Sequence, residues 1–315
     1  MKILWLYKYD ASYNFDKWFH LEYVRWMKNN GYDIVAYGPG IHDAYPDIAV
    51  IPWDPNTTWD FLLTRLKPDV VILNTKSRMF DFYSPFTKTM KGCILPKGFI
   101  ESKQIPKVVI EEDYHYEDND DWYLECGCDL LIQRHYSQYL RGGNLRVEWL
   151  PFSVDTDMFR PDNIVRRRKF CFIGSISSAY PERRLLCDFL AKKGILHVYE
   201  SHQKLNMDYI KSLQSYFGFL STSSIYDICA AKNFEILSCG AVLITNKFSG
   251  LDLLFPSNAY CEIPVDPQKA YTILLSLIHN SELCQSLITA GRQCILEKHS
   301  NFTRTKELMY MLRSL

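Results

Sequence analysis

No sign of charge predominates in this chain. Its 36 Lys and Arg stand against 36 Asp and Glu, a formal net charge of zero. A surface that holds nucleic acid or acidic lipid by bulk electrostatics is therefore not expected, whereas a small ligand would leave no trace in such totals. No run approaches the ~18 uninterrupted apolar residues of a membrane span. The opening "MKILWLYKYD" is too short in its apolar part for a secretory signal, and Lys8 and Asp10 follow at once. Metal-type spacing is also missing. Of the ten cysteines, Cys126 and Cys128 form a C-x-C with no second pair nearby, and the others sit singly in apolar text. Buried, reduced thiols in a cytoplasmic protein are the expectation. A full G-x-G-x-x-G is absent, and so are internal repeats and low-complexity tracts.

What remains is a chain of 315 residues, 47% hydrophobic and 15% aromatic with 21 Tyr, enough for two domains with a core each. Strand and helix signals alternate along the first half. "KILWLY", "DIVAYG", "DVVILN", "KVVIEED" and "CDLLIQR" read as strands. "FDKWFHLEYVRWMKNNG" and "TTWDFLLTRLKP" read as helices, stopped at Gly31 and Pro68. At Leu150 the text becomes "LPFSVDTDMFRPDNIVRRRKF", an interdomain connection whose "RRRK" run reads as solvated linker. A second series follows. "KFCFIG", "ILHVYE", "FGFLSTS" and "AVLITN" are strands; "PERRLLCDFLAKKG" is a helix with Pro in its first turn, and "NMDYIKSLQSY" is another. Three helices close the chain. Buried strands alternating with helices mean α/β, here two Rossmann-like, doubly wound parallel-sheet domains facing a cleft. The division is expected at residues 1–154 and 155–315, with the C-terminal helix a candidate to cross back.

Particular segments sharpen this. "LPFSVDTDMFRP" resembles the V-D-x-x-x-F-x-P interdomain segment of retaining, family 4-like glycosyltransferases of the GT-B fold. "AKNFEILSCGAVLITNKFSGLDLLF" resembles the R-x-F-E-x-x-A-C-G segment and the following Gly-Leu-Glu-Glu-Leu-Phe loop of the spore-maturation-protein-like branch. Lys232 replaces the usual Arg, and Asp252 stands at the loop's first acid. "AGRQCILEKHSNFTR" resembles the branch's closing A-G-R…H-T-Y-x-x-R. These matches cover Leu150 to Leu315; the first 149 residues match only as a pattern of elements. The resemblance implies transfer of a sugar from a UDP- or GDP-sugar to an acceptor hydroxyl, retaining and metal-independent, with no cofactor. The acceptor is left open between a glycan, a small molecule and nucleic acid. Two other readings stay open: a DNA-base glycosyltransferase of phage type, and a non-catalytic sugar-nucleotide-binding protein.

Such chemistry has residue requirements. A ribose diol calls for a carboxylate, because one carboxylate can accept from two adjacent hydroxyls. Glu235 is that residue by the resemblance; otherwise it is a solvent-facing helical Glu. Asp227 lies eight residues earlier, roughly 12 Å away if the stretch is one helix. The resemblance places it on the transferred sugar; the alternative is a capping role near Ser224. The diphosphate needs positive charge. Lys232, one turn from Glu235, either binds phosphate or pairs with that Glu. Gly174 and its hydroxyl-rich loop lead to a helix start carrying Arg183 and Arg184, one expected on phosphate and one in solvent. Gly250 and Leu251 precede a further helix start whose N–H groups are candidate donors. The strand "VVIEED" ends with Glu111, Glu112 and Asp113 ahead of His115, which the resemblance makes the catalytic residue near the donor sugar; the alternative is an acidic, solvated loop. Tyr7, Tyr9, Tyr13 and Trp18 either stack on an acceptor or belong to the core. The acids of "DTD" read as turn caps rather than metal ligands.

Overall fold

The computed structural model describes residues 1–7, 9, 21–75, 95–111, 123–124, 126–140, 144–176, 180–200, 203, 206–223 and 227–315. They form two compact units, Met1–Pro151 with Thr305–Leu315, and Phe152–Arg304.

Unit 1 is built on a parallel six-stranded sheet. Its strands are β1 (Lys2–Leu6), β2 (Asp33–Tyr37), β3 (Val70–Thr75), β4 (Lys107–Glu111), β5 (Leu130–Gln133) and β6 (Val147–Trp149), in the order β2-β1-β3-β4-β5-β6. The first five coincide with the apolar runs seen in the sequence. Each is buried on both faces, as parallel strands between helical layers must be. The sixth, "VEW", is only partly buried and too short to show a period. Helix Trp59–Leu66 begins where Thr58 accepts from the Phe61 N–H at 3.3 Å, an ordinary N-cap. The final helix, Asn301–Arg313, places Leu308, Met309 and Leu312 in the core beside Ile3, Trp5 and Ile72. Thr305 Oγ1 donates to the Tyr23 hydroxyl at 2.9 Å, and Arg146 donates to Ser314 O and Oγ at 3.2 and 2.8 Å.

Unit 2 carries a parallel five-stranded sheet. Its strands are β7 (Arg167–Ile173), β8 (Leu196–Tyr199), β9 (Tyr216–Leu220), β10 (Val242–Thr245) and β11 (Tyr260–Glu262), in the order β11-β10-β9-β7-β8. Helices Pro181–Lys192, Asn206–Ser215, Lys232–Ser238, Pro267–His279 and Ser281–Cys294 accompany it. Asp266 and Asn280 cap two of them, accepting from Lys269 N and Leu283 N at 2.9 Å each. Both sheets share one winding. The chain runs outward from the first strand in one direction, then reverses, so that β1 and β3, or β7 and β9, lie side by side. In open parallel sheets ligands bind outside the carboxyl ends of the strands at that reversal.

The "RRRK" run is a correction. Arg167, Arg168 and Lys169 begin β7, and Arg166 is not solvated linker. Its guanidinium donates to Leu213 O at 3.0 Å, Tyr216 O at 2.8 Å and Cys239 O at 2.5 Å. It satisfies carbonyls where two helices and a strand meet, which no local pattern reveals. The "DTD" acids cap a turn, with Asp155 accepting from Asp157 N and Met158 N at 2.9 and 3.1 Å. The closing "AGR…H…R" segment is also structural in this fold. Arg292 donates to Phe159 O at 3.1 Å and to Ser238 O and Oγ, while buried His299 donates to Leu254 O at 2.8 Å and meets Arg304 at 2.6 Å. Burial and the Arg304 charge push the His299 imidazole down to about 3, so it stays neutral.

Candidate functional site

Four pieces of chain meet at the carboxyl ends of β7 and β9. The first is the end of β7, Ile173–Gly174–Ser175. Gly174, at φ 158°, leaves room for the Lys232 side chain: a Cβ there would lie 2.8 Å from Lys232 Nζ and 3.2 Å from Phe172 Cζ, so both side-chain ends would have to shift. The second is helix Lys232–Ser238, buried almost throughout. The third is helix Asn206–Ser215, and the fourth is the start of helix Pro181–Lys192, with Pro at its first turn.

Glu235 does not face solvent. It is 1% exposed, and its Oε2 accepts from the Tyr209 hydroxyl at 2.5 Å. Oε1 is equally buried and has no hydrogen-bond partner. Burial pushes the carboxyl up to about 7, against the opposing pull of the Tyr209 hydrogen bond and the Lys232 charge. Lys232 is half-buried. Its ammonium donates to Ile173 O and sits 5.3 Å over the Phe172 ring. Burial, and then repulsion from Arg183, pull it down to about 8, with Glu235 opposing. The two do not come within ion-pair distance, so the alternative in which Lys232 merely pairs with Glu235 is not what forms. A buried carboxylate oxygen with no partner and a half-buried, partly desolvated ammonium near it are a constellation that folding alone does not favour.

Arg183 and Arg184 diverge. The Arg183 guanidinium donates to Thr222 Oγ1, Ser175 O and Thr222 O at 3.0, 3.1 and 2.6 Å and stacks 3.8 Å from the Tyr180 ring. It thereby clamps the loop after β7 to the loop after β9 and adds positive charge beside Lys232. Arg184 points to solvent, 4.0 Å from Asp188 one turn on, with side chains 64% and 69% exposed.

The residues 162–310 match the family model described as glycosyl transferase-like. The chain carries a glycosyltransferase family domain. Similar solved structures agree on the fold over the whole length. HepE of Anabaena in complex with UDP-glucose superposes with a TM-score of 0.70 at 13% identity, covering 100% of both chains. A glycosyltransferase from Rickettsia africae gives 0.68 at 11%, covering 99% of this chain and 98% of that one. Sucrose-phosphate synthase of Thermosynechococcus elongatus gives 0.63 at 8%, covering 100% and 99%. No curated protein matches. The architecture is thus the two-sheet α/β fold of GT-B-like glycosyltransferases.

Within the glycosyltransferase domain, three expectations need correction. Asp227 is not on the helix of Glu235. That helix starts at Lys232, and Asp227 sits five residues earlier at φ 54°, in the left-handed region. Its carboxylate accepts from Ser249 N at 3.0 Å and from the Ser249 hydroxyl, so it ties down the loop before Gly250; Ser224 lies outside the described residues. Gly250, at φ 84°, leads into a single turn, Leu251–Leu254. The Leu251 N–H is already engaged with Phe248 O at 3.2 Å, and its side chain is buried. Asp252 pairs with Lys247 at 2.5 Å and accepts from Tyr260 at 2.9 Å. The third is the alternative of Glu235 as a solvent-facing helical residue: it is buried, and Tyr209 is its partner. Periodicity marks Tyr209 as core, and nothing in "NMDYIKSLQSY" points to a carboxylate 26 residues on.

In unit 1, Glu111 ends β4 buried and accepts from the Tyr123 hydroxyl. His115, Glu112, Asp113, Tyr13 and Trp18 lie outside the described residues. Tyr7 is core at 1% exposure, and Tyr9 packs edge-on against Tyr45 at 5.8 Å. Among the described residues no group of His, Cys, Asp or Glu is placed to hold a metal ion. No described helix is long and apolar enough to cross a membrane.

Proposed function

We propose that the chain transfers a sugar from a UDP-sugar to an acceptor hydroxyl, with retention and without a metal, as a member of the family 4-like branch its motifs resemble. The observation that carries this is the buried Glu235 carboxylate with Oε1 unmet, beside Lys232 at the strand reversal of the glycosyltransferase domain. In this reading the ribose diol donates to Oε1, whose two lone pairs suffice for both hydroxyls. The atoms over Oε1 must part to admit it. Lys232, with the charge of Arg183 behind it, faces the diphosphate. When the bond from the anomeric carbon to the phosphate oxygen breaks and the acceptor oxygen bonds to that carbon, the negative charge left on UDP is met by the ammonium. The acceptor proton leaves to a base, for which His115 is the proposed neighbour. Asp227, through Ser249, holds the Gly250–Leu251 loop against the sugar. HepE, solved with UDP-glucose and with UDP and glucose, supports a uracil nucleotide.

The direct test is release of UDP from UDP-glucose with and without an acceptor series, followed by the anomeric configuration of the product. Binding without any turnover across the series would favour the sugar-nucleotide-binding protein; tighter binding of GDP-sugars would overturn the uracil assignment. Activity should be unchanged in excess EDTA, since positive side chains replace a metal in this account. Loss in EDTA with rescue by Mn²⁺ would sink it.

Binding of UDP should also depend on pH as a bell. Glu235 must be ionised to accept, so affinity falls below its value of about 7. Lys232 must be protonated, so affinity falls above its value of about 8. Each limb approaches about tenfold per pH unit when one group governs it. Titration calorimetry from pH 5.5 to 9.5 checks this; a flat profile would exclude both groups from the site.

A further inference from the structure

We infer that Tyr209 is a positioning residue for donor binding: it holds Glu235 by one oxygen so that the other is presented to the ribose. The inference rests on the reading of Glu235 as the ribose acceptor.

The geometry is specific. Tyr209 lies on helix Asn206–Ser215, 1% exposed, and its hydroxyl donates to Oε2 at 2.5 Å. A glutamate side chain has three rotatable bonds, and helix Lys232–Ser238 fixes none beyond the first. One charge-assisted hydrogen bond from a rigid aromatic on a neighbouring helix removes that freedom. It also leaves the two oxygens unequal, since Oε2 is engaged and Oε1 has no partner. The remaining groups around the carboxylate offer no substitute. Lys232, on the same helix, donates to Ile173 O and lies outside ion-pair distance of the carboxylate. Arg183, from helix Pro181–Lys192, is held by Ser175 and Thr222. Cys239, one turn beyond, and Cys171 on β7, beside Tyr209, are thiols whose burial keeps Cys239 protonated and leaves Cys171 bonded weakly to Phe172 O at 3.8 Å. Tyr209 is thus the group among the described residues that orients Glu235. Its own burial and the adjacent carboxylate keep its hydroxyl protonated, and therefore a donor, at every working pH.

Tyr209→Phe deletes that donor and keeps the ring. The ionised carboxylate then loses its hydrogen bond, and the acid form prevails to higher pH. Against UDP as the probe, the variant should bind about tenfold more weakly than wild type at pH 7. The ratio of the two dissociation constants should narrow by pH 9, where Glu235 is ionised in both, but stay above one, because the carboxylate still lacks the orientation that Tyr209 gave it; a ratio of one at pH 9 would mean that Tyr209 acts on protonation alone and overturns the positioning role. Titration of Lys232 is common to the two proteins and cancels in the ratio to first order. A purely structural loss would give a ratio independent of pH, and that result overturns the inference. The same substitution in a Glu235→Gln background covers the case in which the single variant fails to fold, because a neutral amide tolerates the lost donor better. There it should cost no further UDP affinity, and an added loss overturns the positioning role. If Glu235→Gln alone leaves UDP binding untouched, the reading of Glu235 itself has failed, which is a different outcome from a pH-independent ratio.

Discussion

Glu235→Gln should bind a UDP-sugar one to two orders of magnitude more weakly than the wild type, and it should not melt lower. Both halves follow from Tyr209. With the Tyr209 hydroxyl kept as the donor, as in the wild type, the amide carbonyl takes Oε2's place and its NH₂ takes Oε1's place. The ribose then meets a donor where it needs an acceptor. Hydrogen bonds to charged groups contribute roughly 1.5–3 kcal/mol, and about 1.4 kcal/mol is tenfold in affinity. A donor lacking the ribose hydroxyls should lose affinity in the wild type and much less in the variant, because both changes remove the same contact.

The stability half has a definite sign. Burial raises the folded carboxyl from 4.5 to about 7. Between those values the folded protein binds more protons than the unfolded chain, so the contribution of Glu235 to stability declines as pH rises from 4.5 through 7. At 1.36 kcal/mol per unit, the ceiling is roughly 3 kcal/mol above pH 7. The neutral amide removes that penalty. Part of the gain is offset because Lys232 then loses the nearby carboxylate that opposes its own desolvation. Melting curves at pH 4, 6 and 9 should therefore show the variant level with wild type at pH 4, higher at pH 6 and higher still at pH 9. Normal donor binding with a lower melting point would make Glu235 a structural residue and end the proposed function as stated. A carboxylate that the fold would tolerate better as an amide is kept for what it binds.

Gly38→Ala should have the largest effect on folding. Gly38 follows β2, where the chain passes the end of β1, and a Cβ there would lie 1.7 Å from Tyr7 O and 2.8 Å from Tyr7 C. Both atoms are backbone. Tyr7 N is held by Tyr37 O at 3.1 Å, and Tyr7 and Tyr37 are each 1% exposed, so neither strand end can retreat without opening the core. Losses above ~4 kcal/mol are exceptional and belong to mechanisms of this kind. For a unit of this size, each kcal/mol shifts the midpoint by about 2–4 °C, so a fall of about 10 °C or more is expected for unit 1. Calorimetry resolves the two units if they melt apart. An alanine variant that melts within a degree or two of wild type would show that the β1–β2 ends approach less closely than described.

Much of this molecule was legible in the sequence where the cause is local. "KILWLY", "DVVILN" and "AVLITN" are strands because their continuous β-branched and apolar runs suit burial on both faces. Thr58, Asp266 and Asn280 begin helices because their side chains reach an N–H three residues on. Asp155 closes its own turn for the same reason. Strands of three residues, β6 and β11, fall below the length at which a period can be seen. The helix of Glu235 was legible, but its start was not. Nothing in "DICAAK" stops a helix, yet Asp227 leaves it for Ser249, 22 residues on, in a conformation only tertiary contacts would hold.

The sequence by itself determined the alternation of strand and helix, and hence two parallel sheets. It also marked Glu235, Lys232 and Gly174 as candidate site residues. Those features depend on period and on neighbours a few residues apart, which are properties of the chain read in one dimension. Only the tertiary structure decided which charges are buried and which partners meet them. Arg184 lies in solvent while Arg183, one residue earlier, clamps two loops. Arg166 seats on three carbonyls, from Leu213, Tyr216 and Cys239. Glu235 meets Tyr209 on one oxygen and nothing on the other. The physical reason is that desolvation is set by every atom packed around a group. Its sign and size depend on elements that converge from 26 to 73 residues away, at distances along the chain where no local pattern survives.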